Sequence, residues 1–263
     1  MVMKKVFWII LCMFFILPVI FAENMKLHYE RPAEYFEEAL VIGNGTMGAT
    51  LYGGVKKDKI SFNDITLWTG EPESENSSPD AFNAIPEIRA LLDNEDYQGA
   101  DKAQYKVQGH YSENYQPLGT LTIEYLDDTV GISDYHRWLD IGNATARTQY
   151  LKGGKLFTSD YFASAPDSVI VIRLKSENKE GIHALLSFDS PLPHSTQVAD
   201  NEISVEGYAA YHSFPVYYKA EDKHRYDPER GIHFKTLVRV LSVDGRVKNR
   251  YSDSRIEIDG STE

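Results

Sequence analysis

From Gly119 to Leu126 (GTLTIEYL) apolar and polar residues alternate, which puts Leu121, Ile123 and Tyr125 on one face. That period of two is the signature of a half-buried strand. The same reading places strands near 39–43, 47–54 and 59–63, a meander joined by Asn44-Gly45 and by the charged turn Lys56-Lys57-Asp58. Asn-Gly between short apolar runs signals a hairpin, because both residues tolerate a positive φ. Gly43-Asn44-Gly45 is not read as a phosphate cradle. Such a cradle needs a helix N-terminus after it, and Met47 to Val55 reads as another strand. Residues 69–79 are polar and punctuated by proline, a surface loop. Over Asp80 to Val107 the period changes. Ile85, Ile88, Leu91, Leu92, Ala100, Ala103 and Val107 fall near three- and four-residue spacings. That predicts two short helices broken at Asn94-Glu95-Asp96, with Pro86 in a first helical turn.

Strand patterns then return. Residues 134–141 lead to 143–151, and Gly153-Gly154 turns that run into 155–163. Ser168 to Ser176 (SVIVIRLKS) is apolar on both faces, which predicts a strand covered on both sides. Further strands are expected at 182–189 and near 202–206, 231–243 and 254–259, with a charged loop at 219–230. Many strands at regular intervals around one helical insertion, about 80–107, predict a mainly β protein, an antiparallel sandwich.

Residues 1–22 stand apart from this pattern. Lys4 and Lys5 precede an apolar run, Val6 to Phe21, broken by Pro18 and followed by the small residue Ala22. That is the layout of a secretory signal peptide, so the expected location is periplasmic or extracellular. The rival reading is an uncleaved membrane anchor. Removing the signal removes Cys12, the one cysteine, and shifts the formal charge from −12 to −14. The exported chain has no thiol chemistry and must be held by its core. Its acidity argues against nucleic acid as a partner and leaves neutral ligands such as sugars open.

Candidate chemistry is sparse at this level. A glycosidase needs two carboxyl groups at a controlled separation, yet with 39 acidic residues nothing selects a pair. Glu37-Glu38, Asp127-Asp128 and Glu221-Asp222 read as solvated surface. Of the eight histidines, none stands two or four residues from another, and no H-E-x-x-H occurs. No metal and no cofactor is expected from local spacing, although assembly over long range stays open. The nucleophile elbow G-x-S-x-G is also missing.

Four longer blocks carry more information: Arg31 to Pro72 (RPAEYFEEALVIGNGTMGATLYGGVKKDKISFNDITLWTGEP), Tyr115 to Tyr125 (YQPLGTLTIEY), Tyr135 to Tyr150 (YHRWLDIGNATARTQY) and Tyr161 to Leu174 (YFASAPDSVIVIRL). In order and spacing they resemble the N-terminal domain of glycoside hydrolase family 95, the inverting α-L-fucosidases with some α-L-galactosidase members. The resemblance implies an antiparallel β-supersandwich over residues 23–263. In the family this precedes a helical linker, a catalytic (α/α)6 barrel on the same polypeptide and a small C-terminal β-domain. The general acid and general base sit in the barrel, so no catalytic residue is expected in this chain, and fucosylated oligosaccharides would be met through that barrel. The family pattern continues past Thr262, which implies an incomplete C-terminal edge and a tendency to associate. The resemblance also suggests that Asn44, Asn63, Asp64, Trp68 and Gln116 cluster near the interface with the barrel. If they contact sugar instead, Trp68 would stack on it while Asn63 or Gln116 bond its hydroxyls. A stand-alone carbohydrate-binding β-sandwich is the alternative reading.

Overall fold

The protein is described from a computed structural model covering residues 25–72, 80–109, 112–127 and 131–263. The segment read as a signal peptide and most of the loop at 69–79 lie outside these residues. Two antiparallel sheets form the body. One contains β1 (Lys26–Tyr29), β6 (Ile132–Asp140), β7 (Thr145–Lys152), β8 (Lys155–Ser164) and β9 (Val169–Ser176), in that spatial order. The other runs β16 (Arg246–Arg250), β17 (Arg255–Ser261), β10 (Ile182–Asp189), β5 (Gly119–Tyr125), β4 (Lys57–Asp64), β3 (Met47–Leu51) and β2 (Leu40–Gly43). A third sheet of β11 (His194–Ala199), β12 (Glu202–Tyr208) and β15 (His233–Arg239) packs against β10, β16 and β17. A short ladder joins β13 (His212–Ser213) to β14 (His224–Arg225). The fold is the mainly β antiparallel sandwich that the alternation predicted.

The core follows directly from the pleat. Leu121, Ile123 and Tyr125 are buried on β5, facing the same interior as Leu40 and Ile42 on β2 and Ala49 and Leu51 on β3. Tyr150 and Phe157 face them from β7 and β8 with stacked rings 4.9 Å apart. Val198, Ile203 and Val205 of the third sheet join the same cluster. Burial of this apolar surface is the main stabilising term.

Two charged groups sit inside it. Asp58 is 1% exposed and accepts hydrogen bonds from the N–H groups of Gly54 (2.8 Å) and Lys59 (2.9 Å) and from the Tyr161 hydroxyl (2.9 Å). Desolvation pushes its carboxyl up to about 6 despite those donors. Arg137, equally buried, donates to the carbonyls of Arg31 and Glu38 (both 2.8 Å) and lies over the Tyr29 ring at 4.3 Å. Beside them the Tyr135 hydroxyl donates to the carbonyl of Gly53. Gly53 has φ +70°, and a Cβ there would stand 2.6 Å from the Tyr135 hydroxyl oxygen, so only glycine fits.

The helical insertion is α1 (Ala81–Asp93) and α2 (Tyr97–Ala103), followed by a 3-10 turn over Gln104–Val107. The break falls where expected. Glu95 has φ 60°, and the Asp96 side chain caps α2 by accepting from the Gly99 N–H.

Four expectations need correction. Pro86 lies in the second turn of α1, not the first; its lack of an N–H leaves free the carbonyl of Phe82, a residue 82% exposed, so water can satisfy it. Strand β9 is an edge strand and is not covered on both sides: Ile170, Ile172 and Leu174 pack on the core, while Val169 and Arg173 are exposed. Asp58 belongs to β4 rather than to a charged turn, because its carboxylate is turned inward to collect three donors. Strands β1, β11 and β16 were not foreseen, since KLHY, HSTQVA and RVKNR offer too few apolar residues for a period to show.

Candidate functional site

The five residues singled out by the sequence lie along one end of the large sheet, linked through backbone bonds. Asn44 closes the β2–β3 hairpin. Its Oδ1 accepts from the N–H groups of Thr46 (3.1 Å) and Met47 (2.8 Å), and its Nδ2 donates to the Ser164 carbonyl on β8 (2.9 Å). Asn44 therefore ties one sheet to the other, with both its amide oxygen and its amide nitrogen bonded within the fold. Asn63 pairs with Gly48 in the β3–β4 ladder. Asp64 ends β4, accepting from the N–H (2.9 Å) and hydroxyl (2.6 Å) of Thr66 in an Asx turn. The next residue, Ile65, donates its N–H to the Thr46 carbonyl, which fastens this turn to the hairpin.

Trp68 follows. Its indole N–H donates to the Ile65 carbonyl (3.0 Å), so the ring's polar edge is satisfied within the turn. The ring meets Tyr115 edge to face at 5.5 Å, and the two backbones form an isolated bridge. Both remain open to solvent, Trp68 at 44% and Tyr115 at 41%, with Ile65 alongside at 55%. Packing thus leaves Trp68 half exposed. Gln116 holds its backbone to the Leu67 carbonyl (2.9 Å), and its Nε2 reaches the Tyr115 carbonyl (3.2 Å). The result is a rigid apolar ledge with an amide at its margin.

Behind the ledge lies a polar cluster that sequence reasoning missed. Glu113 accepts from the Ser213 N–H (3.0 Å) and the Thr69 hydroxyl (2.5 Å) on one oxygen, and its other oxygen lies 2.8 Å from His212 Nδ1. Asn114 donates to the Ser213 carbonyl (3.1 Å), and Ser213 Oγ lies 2.8 Å from His224 Nδ1. Nearby, Arg230 pairs with Glu71 and stacks over the Tyr211 ring at 3.6 Å. The only signal available in sequence was position: Glu113 and Asn114 stand directly before the block that begins at Tyr115.

This cluster looks like a place for chemistry but is built as a fastener. Ser213 is 0% exposed, so its hydroxyl meets no substrate despite the adjacent imidazole. Glu113 already has a partner on each oxygen, where a general acid or base needs one free to reach a leaving group or a water. Two shallow recesses bear on the question. One, of about 20 Å³, is bordered by Tyr125, Asp127, Lys152 and Phe157, and holds about one water. The other is an open groove of about 420 Å³ over Glu206, Tyr208, His233 and Lys235. In the first Asp127 is bonded to Lys152, and in the second Glu206 is bonded to Lys235. Neither recess presents the two free, facing carboxyls that glycoside hydrolysis requires.

Residues 27–263 match the family model described as "Glycosyl hydrolase family 65, N-terminal domain". The chain is 31% identical over 228 residues to a protein named Alpha-L-fucosidase 2 from Arabidopsis thaliana, covering 84% of this chain and 27% of that protein. It is 28% identical over 169 residues to Probable alpha-fucosidase A of Aspergillus niger (60% of this chain, 21% of that protein). To the Aspergillus oryzae protein of the same name it is 29% identical over 144 residues, covering 53% of this chain and 20% of that protein. The chain thus spans about a quarter of the curated relatives it matches.

Proposed function

The chain belongs to the family of glycosyl hydrolase family 65 N-terminal domains, and from that membership we propose that it is the non-catalytic sandwich domain of an exported α-L-fucosidase-type glycoside hydrolase. The general acid and base reside in a separate barrel of the same polypeptide, which cleaves fucosylated glycans with inversion. The observation that carries this reading is the relation of lengths: the match covers 84% of this chain and 27% of a protein named as a fucosidase. The local chemistry supports it. An inverting site needs carboxyls about 6.5–9.5 Å apart with room for a water between them. Here Asp58 is buried, and Glu113 is bonded on both oxygens. The Trp68–Tyr115 ledge is the surface on which the barrel rests. Its rings are half exposed while the Trp68 indole N–H is satisfied from within by the Ile65 carbonyl, which suits a protein contact.

One observation favours a second reading, a carbohydrate-binding module. Exposed rings beside an amide, Trp68 and Tyr115 beside Gln116, also suit stacking on a sugar. Calorimetric titration of the purified chain with fucosylated oligosaccharides separates the two. A docking ledge gives no saturable heat. Saturable binding that Trp68→Ala abolishes would replace the docking reading with the module.

A further inference from the structure

The outer face of the smaller body sheet carries a group of side chains that neither the sandwich nor the ledge uses. Strands β1 and β6 pair in antiparallel register, His28 opposite Trp138 and Tyr29 opposite Arg137. Glu30 lies in the bend that directly follows β1. In a pleated strand residues two apart share a face, so His28, His136 and Trp138 lie together on the side opposite the buried Arg137. A register shift between Ser133 and His136, with Asp134 at φ 49°, is the bulge from which His136 emerges. His28 Nε2 stands 3.1 Å from His136 Nδ1, with the two rings stacked at 5.1 Å. The ligand atoms of His28, Glu30 and His136 all lie within 4.8 Å of one another.

We propose that His28, Glu30 and His136 bind a divalent transition-metal ion, with zinc as the reference ion, and that the ion clips the first strand to β6. The spacing fits. Two imidazole nitrogens each about 2.0–2.1 Å from one zinc ion are separated by about 2.9 Å at a right angle and about 3.3 Å at the tetrahedral angle. The observed 3.1 Å falls between those limits. Two imidazoles and one carboxylate are a zinc-, nickel- or copper-type donor set, and the exposure of His28 and Glu30 leaves a remaining position for water. Nearby cations do not oppose the charge, because Lys26 is paired with Asp140, and Arg147 with Asp160.

The clip has a mechanical consequence. Strand β1 has four residues, all exposed, and lies at the sheet edge. An ion shared by His28 and His136 joins positions 108 residues apart, and an unfolded chain would have to close that loop before both could hold it, so the ion favours the folded state. The clip is independent of the docking ledge and of any fucosidase activity.

Zinc titration of the untagged full chain, read by competition with a chromophoric chelator and by melting temperature, tests this. One zinc per chain is expected, with a melting temperature raised by a few degrees at saturation. His136→Asn should weaken binding at least tenfold and abolish the rise. His28→Asn, at an exposed edge position, should do the same without endangering the fold. Absence of stoichiometric binding, or binding that both variants leave intact, would overturn the proposal.

Discussion

Two carboxylates in this molecule do the same job in opposite surroundings. Asp58, between the sheets, gathers Gly54 N–H, Lys59 N–H and the Tyr161 hydroxyl. Glu113, at the rim, gathers Ser213 N–H, the Thr69 hydroxyl and His212. Each satisfies backbone N–H groups with its carboxylate and ties them to a side chain from a distant part of the chain. The difference is solvent. Asp58 is 1% exposed and its carboxyl is pushed up to about 6, whereas the Glu113 side chain keeps 22% of its surface. The inner group fixes how the two sheets meet at a cost in desolvation. The outer one fixes a surface, the ledge of Trp68 and Tyr115, for something outside this chain to meet. Acidic side chains that resemble catalytic groups in isolation are accounted for here as fasteners.

The comparison can be broken most forcefully at Arg137. Arg137→Ala leaves the carbonyls of Arg31 and Glu38 unpaired and empties a buried volume, so a loss of about 3–5 kcal/mol is expected in denaturant unfolding. A loss under about 1 kcal/mol would show that this interior polar group is not part of the frame.

Asp58 gives the next largest effect, and its sign is fixed. Its folded pKa lies above the value of 3.8 expected when unfolded. The folded state therefore keeps a proton that the unfolded state releases, and stability falls as pH rises from about 4 to about 6. Two pKa units correspond to roughly 3 kcal/mol. Asp58→Asn retains an oxygen for Gly54 and Lys59 and lets Tyr161 accept instead of donate, so the variant should lose this downward contribution across that window. Unfolding curves at several pH values check this, and an unchanged slope in the variant would reassign the titration to another group.

Effects at the rim should be smaller. Glu113→Ala should cost about 1–2 kcal/mol, from the Ser213 N–H and Thr69 hydroxyl left without an acceptor, and should shift Trp68 fluorescence as the ledge loosens. Trp68→Ala should cost least, about 0.5–1 kcal/mol, because the ring is 44% exposed in the chain alone. A loss near that of Arg137→Ala would mean that Trp68 is core rather than a docking surface.

The sequence disclosed what depends on period and little of what depends on partners. Strand β5 was legible because Leu121, Ile123 and Tyr125 alternate against polar residues over a full strand. The helical break was legible because Asn94 and Asp96 are poor helix formers and good caps, Asp96 accepting from the Gly99 N–H. Strand β1 was not, since Lys26 to Tyr29 is exposed at every position and is held only by its pairing with β6. At the candidate site, the turns at Asn44 and Asp64 follow from side chains that bond backbone two or three residues on, a local effect that sequence carries. Glu113 with His212, and His28 with His136, join residues about a hundred positions apart. Such pairs are set by strand register, which spacing along one chain does not encode.

The central claim, that this domain supports chemistry performed elsewhere, is tested most directly by incubating the purified chain with a fucosylated oligosaccharide and following free fucose by NMR. No release above the uncatalysed background is expected over a long incubation. Time-dependent release that a single substitution such as Glu113→Gln abolishes would contradict the claim and place a working active site within these sheets.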